Sequence, residues 1–209
     1  MVTTRQRLVE AATKGFADQG IQSASLVEIT RQAGQRNRGA VHYHFGGRDG
    51  LLVAVLEQHN AFLQERELEL LRQARERSDD DVASVVEAVV RPAVELAEQG
   101  PSGASYLVII AELAEQDPSS YSPEVEAALA GSGGYEVFRT LHERLPDLDD
   151  ELRSERFALM TAFVLGTVAR RVRSLAGDEN HRHQMPTDRF VANLVQMASA
   201  MLTAPTVDA

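Results

Sequence analysis

Residues 26–48, LVEITRQAGQRNRGAVHYHFGGR, decide how the rest of the chain is read. Leu26, Ile29 and Ala33 fall on one face at helical spacing, so a helix is predicted over Leu26 to Ala33. Ser25 precedes it and Glu28 follows three residues on, the pattern of a capping box. Gly34 comes directly after, where a left-handed backbone costs little and a helix can stop. A second short helix is predicted over roughly Asn37 to His44, with Asn37 as its N-cap. Ala40, Val41 and Phe45 then pack inward while Arg38, His42 and Tyr43 face out. Two helices joined by a short glycine-bearing turn form a helix-turn-helix, whose second helix enters the DNA major groove.

Charge points the same way. No acid lies between Arg31 and Arg48, while Arg36 and Arg38 stand inside that interval. The whole chain carries a net charge of −10, yet residues 1–60 hold seven Lys/Arg against five Asp/Glu, net +2, and the remainder is net −12. A basic patch on an acidic protein suits phosphate neutralisation, the main source of affinity for nucleic acid.

Residues 3–56 resemble the DNA-binding domain of the tetracycline-repressor (TetR) family. The resemblance runs through Arg7-Leu8-Val9-Glu10-Ala11-Ala12, Phe16-Ala17-Asp18-Gln19-Gly20, the helix pair, Tyr43-His44-Phe45 and Arg48-Asp49-Gly50-Leu51-Leu52. Two features depart from the family pattern: the turn Gly34-Gln35-Arg36-Asn37-Arg38-Gly39 is one residue longer, and His42 stands where the family usually has tyrosine. The resemblance implies that Tyr43, His44 and Arg48 hold phosphates, with Arg38 near the groove edge. Arg36, Arg38 and His42 are candidates for base readout, since arginine can bind guanine bidentately. Asn37 and Gly39 complete the DNA-facing set.

At 209 residues and 44% hydrophobic, the chain can bury a sizeable core as one or two domains. It has no cysteine, which excludes disulfides and thiolate metal sites and fits a reducing cytosol. The amino end lacks the basic segment and apolar run of a secretion signal, so a cytoplasmic location is expected. The uncharged stretch 190–207 contains Asn193, Gln196, Ser199, Thr203 and Pro205, too polar for a membrane span.

Nearly every segment shows the 3.6-residue period and none alternates cleanly, so the fold is expected to be all-α. A first helix, Thr3 to Gln19, points Leu8, Ala11, Ala12 and Phe16 inward and stops at Gly20. A long helix is expected from Arg48 to Arg77. Ser78-Asp79-Asp80-Asp81 then forms a junction that caps a helix over Val82 to Glu98. A buried helix containing Tyr106-Leu107-Val108-Ile109-Ile110 follows, up to Gln116. Another runs from Pro123 to Leu145, with Gly131-Ser132-Gly133-Gly134 as a candidate interruption. Two long helices close the chain, Asp149 to Ala176 and Thr187 to Leu202. The expected division is a three-helix DNA-binding domain, 1–47, followed by a larger helical ligand-binding and dimerisation domain, 48–209.

The last two helices carry apolar residues on more than one side, whereas a helix at a domain surface needs one stripe. A second stripe asks for a second partner, and the TetR resemblance supplies it: a copy of the chain, joined through a four-helix bundle. Leu152, Leu159, Phe163, Phe190, Leu194, Met197 and Met201 are the interface candidates. A homodimer would present two recognition helices to a palindromic double-stranded operator. The resemblance also implies a small-molecule effector in the middle helices, with Phe62, Tyr106, Ile110, Leu113, Phe138, Leu141 and Phe163 as candidate lining. Its binding would favour a conformation that cannot grip DNA.

Enzymatic readings find little footing. The chain has no paired Glu-x-x-His, no His-Glu-x-x-His and no Gly-rich phosphate loop. His42 and His44 are two residues apart and point in different directions on a helix. His181-Arg182-His183, with Glu179 nearby, reads as a solvated loop rather than a metal cluster. Arg170, Arg171 and Arg173 read as a solvated or salt-bridged face. No cofactor or metal is expected. The expectation is a ligand-responsive repressor, with an activator, or a regulator that answers no small molecule, as the alternative.

Overall fold

The computed structural model describes residues 2–116, 118–131, 134–145, 148–176 and 185–206. Among them are eleven α-helices and no strand, the all-α fold that the periodicity requires. In order these are α1 Thr4–Gln19, α2 Leu26–Gln32, α3 Ala40–Phe45, α4 Arg48–Leu56, α5 Asn60–Arg75, α6 Val82–Glu98, α7 Pro101–Ala114, α8 Pro123–Ala130, α9 Gly134–Arg144, α10 Asp150–Ala176 and α11 Thr187–Thr203. A short 3₁₀ turn, Pro118–Ser120, separates α7 from α8. The cluster His181-Arg182-His183 lies outside the described residues.

The chain forms two compact units. The first comprises residues 1–62 and 96–132, so it contains the helix pair together with α7 and α8. Here α1 packs on α2, α4 and α7, α3 packs on α4, and α4 packs on α8. Leu8, Ala12 and Phe16 of α1 are buried, as their spacing predicts. Thr3 opens α1 with a full capping box, exchanging hydrogen bonds with Gln6. Gly20 ends it at φ 88°, its N–H returning to the Phe16 carbonyl. Gly50 is required by close approach: a Cβ there would stand 1.9 Å from the carbonyl oxygen of Phe45, so α3 and α4 meet only because the side chain is absent.

The second unit comprises residues 63–95 and 133–209. Arg66 of α5 forks onto Glu95 of α6 at 2.7 and 3.0 Å. Arg144 at the end of α9 donates to the Ala74 carbonyl at 2.7 Å and to the Asp81 carbonyl at 2.9 Å, closing the junction between α5 and α6. Asp81 caps α6 by accepting the Ser84 N–H at 3.0 Å, as the acidic run suggested. Met160, Val164 and Val168 of α10 face Val191, Leu194, Val195 and Leu202 of α11 in the buried layer between the two helices. Arg156 is buried and holds the carbonyls of Leu202 and Pro205, satisfying acceptors that the end of α11 leaves open.

Three sequence expectations are corrected. The long helix 48–77 is two helices, α4 and α5, parted at residues 57–59. There the backbone tightens to three-residue hydrogen bonds, Gln58 N to Val55 O at 3.3 Å and Asn60 N to Glu57 O at 3.4 Å. The break contains no proline or glycine; Gln58 and His59 instead turn toward the Ser102 hydroxyl of α7, each at 3.2 Å. The second helix of the pair begins at Ala40 rather than Asn37, because Asn37 folds its side chain onto the Gly39 N–H at 2.9 Å and forms a turn. The capping box at Ser25 is half made: Ser25 accepts from the Glu28 N–H, while the Glu28 carboxylate turns to Arg31 and Gln32. Of the expected interruption, α8 ends at Ala130 and α9 begins at Gly134, while residues 132 and 133 lie outside the described residues.

Candidate nucleic-acid interface

The helix pair presents its polar groups unequally. Ala40 and Val41 are buried and fix α3 on the unit's core, which leaves Tyr43 outside at 82% exposure. The Tyr43 ring stands edge-on to His44 with centroids 5.0 Å apart. Among the described residues, Arg36 and Arg38 are exposed and have no ion-pair, hydrogen-bond or ring partner. Free guanidinium groups in the turn and an exposed tyrosine on α3 are groups that can take phosphates and base edges.

The other arginines of the segment are engaged. Arg31 is held by Glu28 through two hydrogen bonds, of 2.6 and 2.8 Å. That fork holds the Glu28 carboxyl down at about 2. Arg5 of α1 lies over the Phe45 ring at 5.1 Å. Arg48 opens α4 and donates from Nη1 to the Ile21 carbonyl, in the turn between α1 and α2. Arg48 thus has a structural role within the unit, beside the phosphate role that the sequence suggested.

His42 lies in the last turn of α3 with Nδ1 3.2 Å from the Gly46 carbonyl. In the tautomer that donates from Nδ1, Nε2 is left as an acceptor. Gly46 closes α3 by donating its N–H to the His42 carbonyl. Asn37 and Gly39 are joined by their own hydrogen bond and shape the turn. Sequence reasoning missed Val27, which is 53% exposed on α2; it lies off the Leu26–Ile29–Ala33 face, so the spacing did carry the signal.

The candidate effector residues divide between the units. Phe62, Tyr106, Ile110 and Leu113 belong to the first unit; Phe138, Leu141 and Phe163 belong to the second. Tyr106, Leu113 and Leu141 are buried. Leu113 borders a cavity of about 410 Å³ with Ile21, Asp49, Leu52 and Tyr121. Phe138 borders a groove of about 570 Å³ with His142, Ser154 and Phe157, its ring edge-on to Phe157 at 5.6 Å. The second unit also holds Glu67 half-buried, its carboxyl pushed up to about 8 by desolvation and its buried Oε2 without a hydrogen-bond partner among the described residues.

The dimer candidates also divide. Leu194 is buried within the unit, whereas Leu159 and Met197 are 51% and 47% exposed. Phe190 is covered on one face by Arg171 at 4.4 Å, so Arg171 is a packing residue rather than a solvated one. Among the described residues no group of three or more His, Asp or Glu could hold a metal, and no helix is long and apolar enough to cross a membrane.

Two family models match. One, described as bacterial regulatory proteins, tetR family, covers residues 8–55; the other, tetracyclin repressor-like C-terminal domain, covers residues 87–201. The HTH-type transcriptional regulator SrpR of Pseudomonas putida is 49% identical over 53 residues, 25% of this chain and 24% of that protein. AcrR of Shigella flexneri, also an HTH-type transcriptional regulator, is 38% identical over 66 residues, 32% of this chain and 30% of that protein. The chain thus matches less than a third of the length of either. In fold, it is similar over 100% of both chains to the regulator PfmR of Thermus thermophilus, at a TM-score of 0.55 and 19% identity. A second neighbour, AibR solved with isovaleryl coenzyme A and operator DNA, covers 98% of this chain and 100% of that one, at a TM-score of 0.55 and 18% identity.

Proposed function

Because the chain belongs to the tetR family of DNA-binding bacterial regulators, we propose that it is a cytoplasmic repressor that grips a palindromic operator as a homodimer and releases it when a small molecule binds. The observation that carries this reading is the pair of exposed, unpartnered guanidinium groups, Arg36 and Arg38, in the turn that leads into α3, the helix of exposed Tyr43. Neutralised phosphates supply affinity, and the same arginines can read guanine in the major groove. Tyr43, His44 and Arg48 are assigned to phosphates, and Arg36, Arg38 and His42 to bases, with Asn37 and Gly39 shaping the turn between them. On this reading residues 1–47 take DNA and residues 48–209 take effector and partner.

Dimerisation is supported by the apolar side chains that α10 and α11 leave outside, Leu159 and Met197, with Leu152, Phe163, Phe190 and Met201 half-buried around them. Surface of this kind is what a four-helix bundle covers. Effector control is supported by the match to the C-terminal family model, and by the neighbour AibR, which was solved with an acyl coenzyme A and operator DNA. A gel shift with the promoter regions of the chain's own gene and of adjacent genes, with and without candidate small molecules, tests the reading. Retarded duplex that is freed by one of the molecules is the expected result. A chain that retards no duplex at low salt overturns it.

A further inference from the structure

Ile21 is where charged side chains from two distant parts of the chain converge. Its N–H donates to Glu112 Oε1 at 2.9 Å, and its carbonyl accepts from Arg48. Ile21 lies in the turn between α1 and α2, Arg48 is the first residue of α4, and Glu112 is in the last turn of α7. Both polar groups of one backbone residue are held by ionised side chains, and such bonds are shorter and stronger than neutral ones. The Ile21 side chain is itself buried, so the turn is anchored by packing as well.

Glu112 is poorly placed for α7's own sake. A carboxylate in the last turn of a helix faces the negative end of the helix dipole. Among the described residues, the hydrogen bond it makes is to the Ile21 N–H, across 91 positions of sequence. α7 lies in the stretch matched by the C-terminal family model, residues 87–201, while Ile21 and Arg48 lie in the stretch matched by the N-terminal one, residues 8–55. The bond therefore joins the two parts that the family models treat separately. The other end of α7 is also tied: Ser102 meets Gln58 and His59 at 3.2 Å, and Gln58 accepts from Thr13 of α1 at 3.2 Å. Those contacts join hydroxyl, amide and imidazole groups, whereas Glu112 supplies the charged and directional one.

We propose that Glu112 is the positioning residue through which α7 sets the pose of the helix pair, so that grip on DNA depends on where α7 lies. The inference rests on the DNA-binding reading above. A shift of α7 by about 1 Å would carry a 2.9 Å bond beyond hydrogen-bonding range. The α1–α2 turn then either follows α7 or loses its partner. Since Arg48 holds the same residue, the start of α4 shares in the change.

The test compares the full-length wild type with Glu112→Gln, Glu112→Asp and Glu112→Ala, using a duplex that the wild type enriches from a random-sequence pool. Glu112→Gln keeps an acceptor oxygen in place and should bind within about threefold of wild type. Glu112→Ala should bind about tenfold more weakly, the loss of one charge-assisted bond. Its salt slope should be unchanged, because no phosphate contact is removed. Glu112→Asp withdraws the oxygen by about 1.5 Å and should fall between them. Hydrogen exchange at the Ile21 amide should quicken in the same order. Wild-type affinity in both Glu112→Ala and Glu112→Asp overturns the inference, as does a loss in Glu112→Ala that only tracks its unfolded fraction. A wild type that enriches no duplex overturns the DNA reading itself, and the inference with it.

Discussion

Arg31 and Glu28 grip each other across one turn of α2, Nη2 to Oε1 at 2.6 Å and Nε to Oε2 at 2.8 Å. This fork sorts the arginines of the helix pair. Arg31 already has its carboxylate, while Arg36 and Arg38 have none.

Arg36→Ala and Arg38→Ala are therefore expected to weaken duplex binding selectively, each at the base pair it reads, whereas a uniform loss with a salt slope reduced by about one would make the residue a phosphate contact instead. A loss confined to one base pair would mark the residue as a base reader. Arg31→Ala should change affinity little, since its guanidinium is already engaged by Glu28 and not free for a phosphate. Binding isotherms at several salt concentrations separate the three.

Arg48→Ala should act twice. Removing the donor to the Ile21 carbonyl should lower stability by about 2 kcal/mol. DNA binding should fall for all sequences alike, because a phosphate contact carries no base information. Thermal unfolding and binding to several duplexes check both; unchanged stability would mean that the Ile21 contact is idle.

Gly50→Ala should damage the fold of the first unit. The added Cβ would meet the Phe45 carbonyl at 1.9 Å, so the backbone must move. Overpacking of this kind costs about 1–3 kcal/mol, and more where the obstacle is backbone. Denaturant unfolding measures it, and Gly46→Ala, where no atom stands within 4 Å of the new Cβ but φ is 75°, should cost less.

Leu159→Glu and Met197→Glu place charge on the exposed apolar face of α10 and α11. Both side chains are about half open, so each variant should fold. Sedimentation should show a dimer for the wild type and a monomer for the double variant. A variant that stays dimeric would move the interface elsewhere.

Glu67 gives stability a pH dependence. Burial raises its carboxyl from 4.5 to about 8 in the folded chain. Below about 4.5 both folded and unfolded chains hold the proton and Glu67 costs nothing. Between 4.5 and 8 the unfolded chain ionises first, so stability drains away as pH rises through that window. Glu67→Gln should remove the dependence and be more stable than wild type by about 2 kcal/mol at pH 8, a figure reduced for partial solvent access. Urea unfolding at pH 5 and pH 8 reads the difference.

What the sequence made legible was local. The α1 stop at Gly20, the Asp81 cap, the break after α8 and the buried faces of α10 and α11 each follow from a few neighbouring residues. Residues 57–59 were opaque because nothing in Glu57-Gln58-His59 disfavours a helix, and the hydroxyl that Gln58 and His59 meet, Ser102, lies more than forty positions away. Arg48 was legible as a basic residue beside the helix pair, but its hold on Ile21, 27 positions back, was not. Glu112 gave no signal at all, since a glutamate near a helix end has no local mark of the amide it meets 91 positions away.

Arg5, stacked on Phe45 at 5.1 Å, lies two residues beyond the Thr3 cap and touches the last residue of α3. The amino end of α1 and the close of α3 are thus held to one another by a guanidinium over a ring, so a change to the Thr3 cap is felt two helices away.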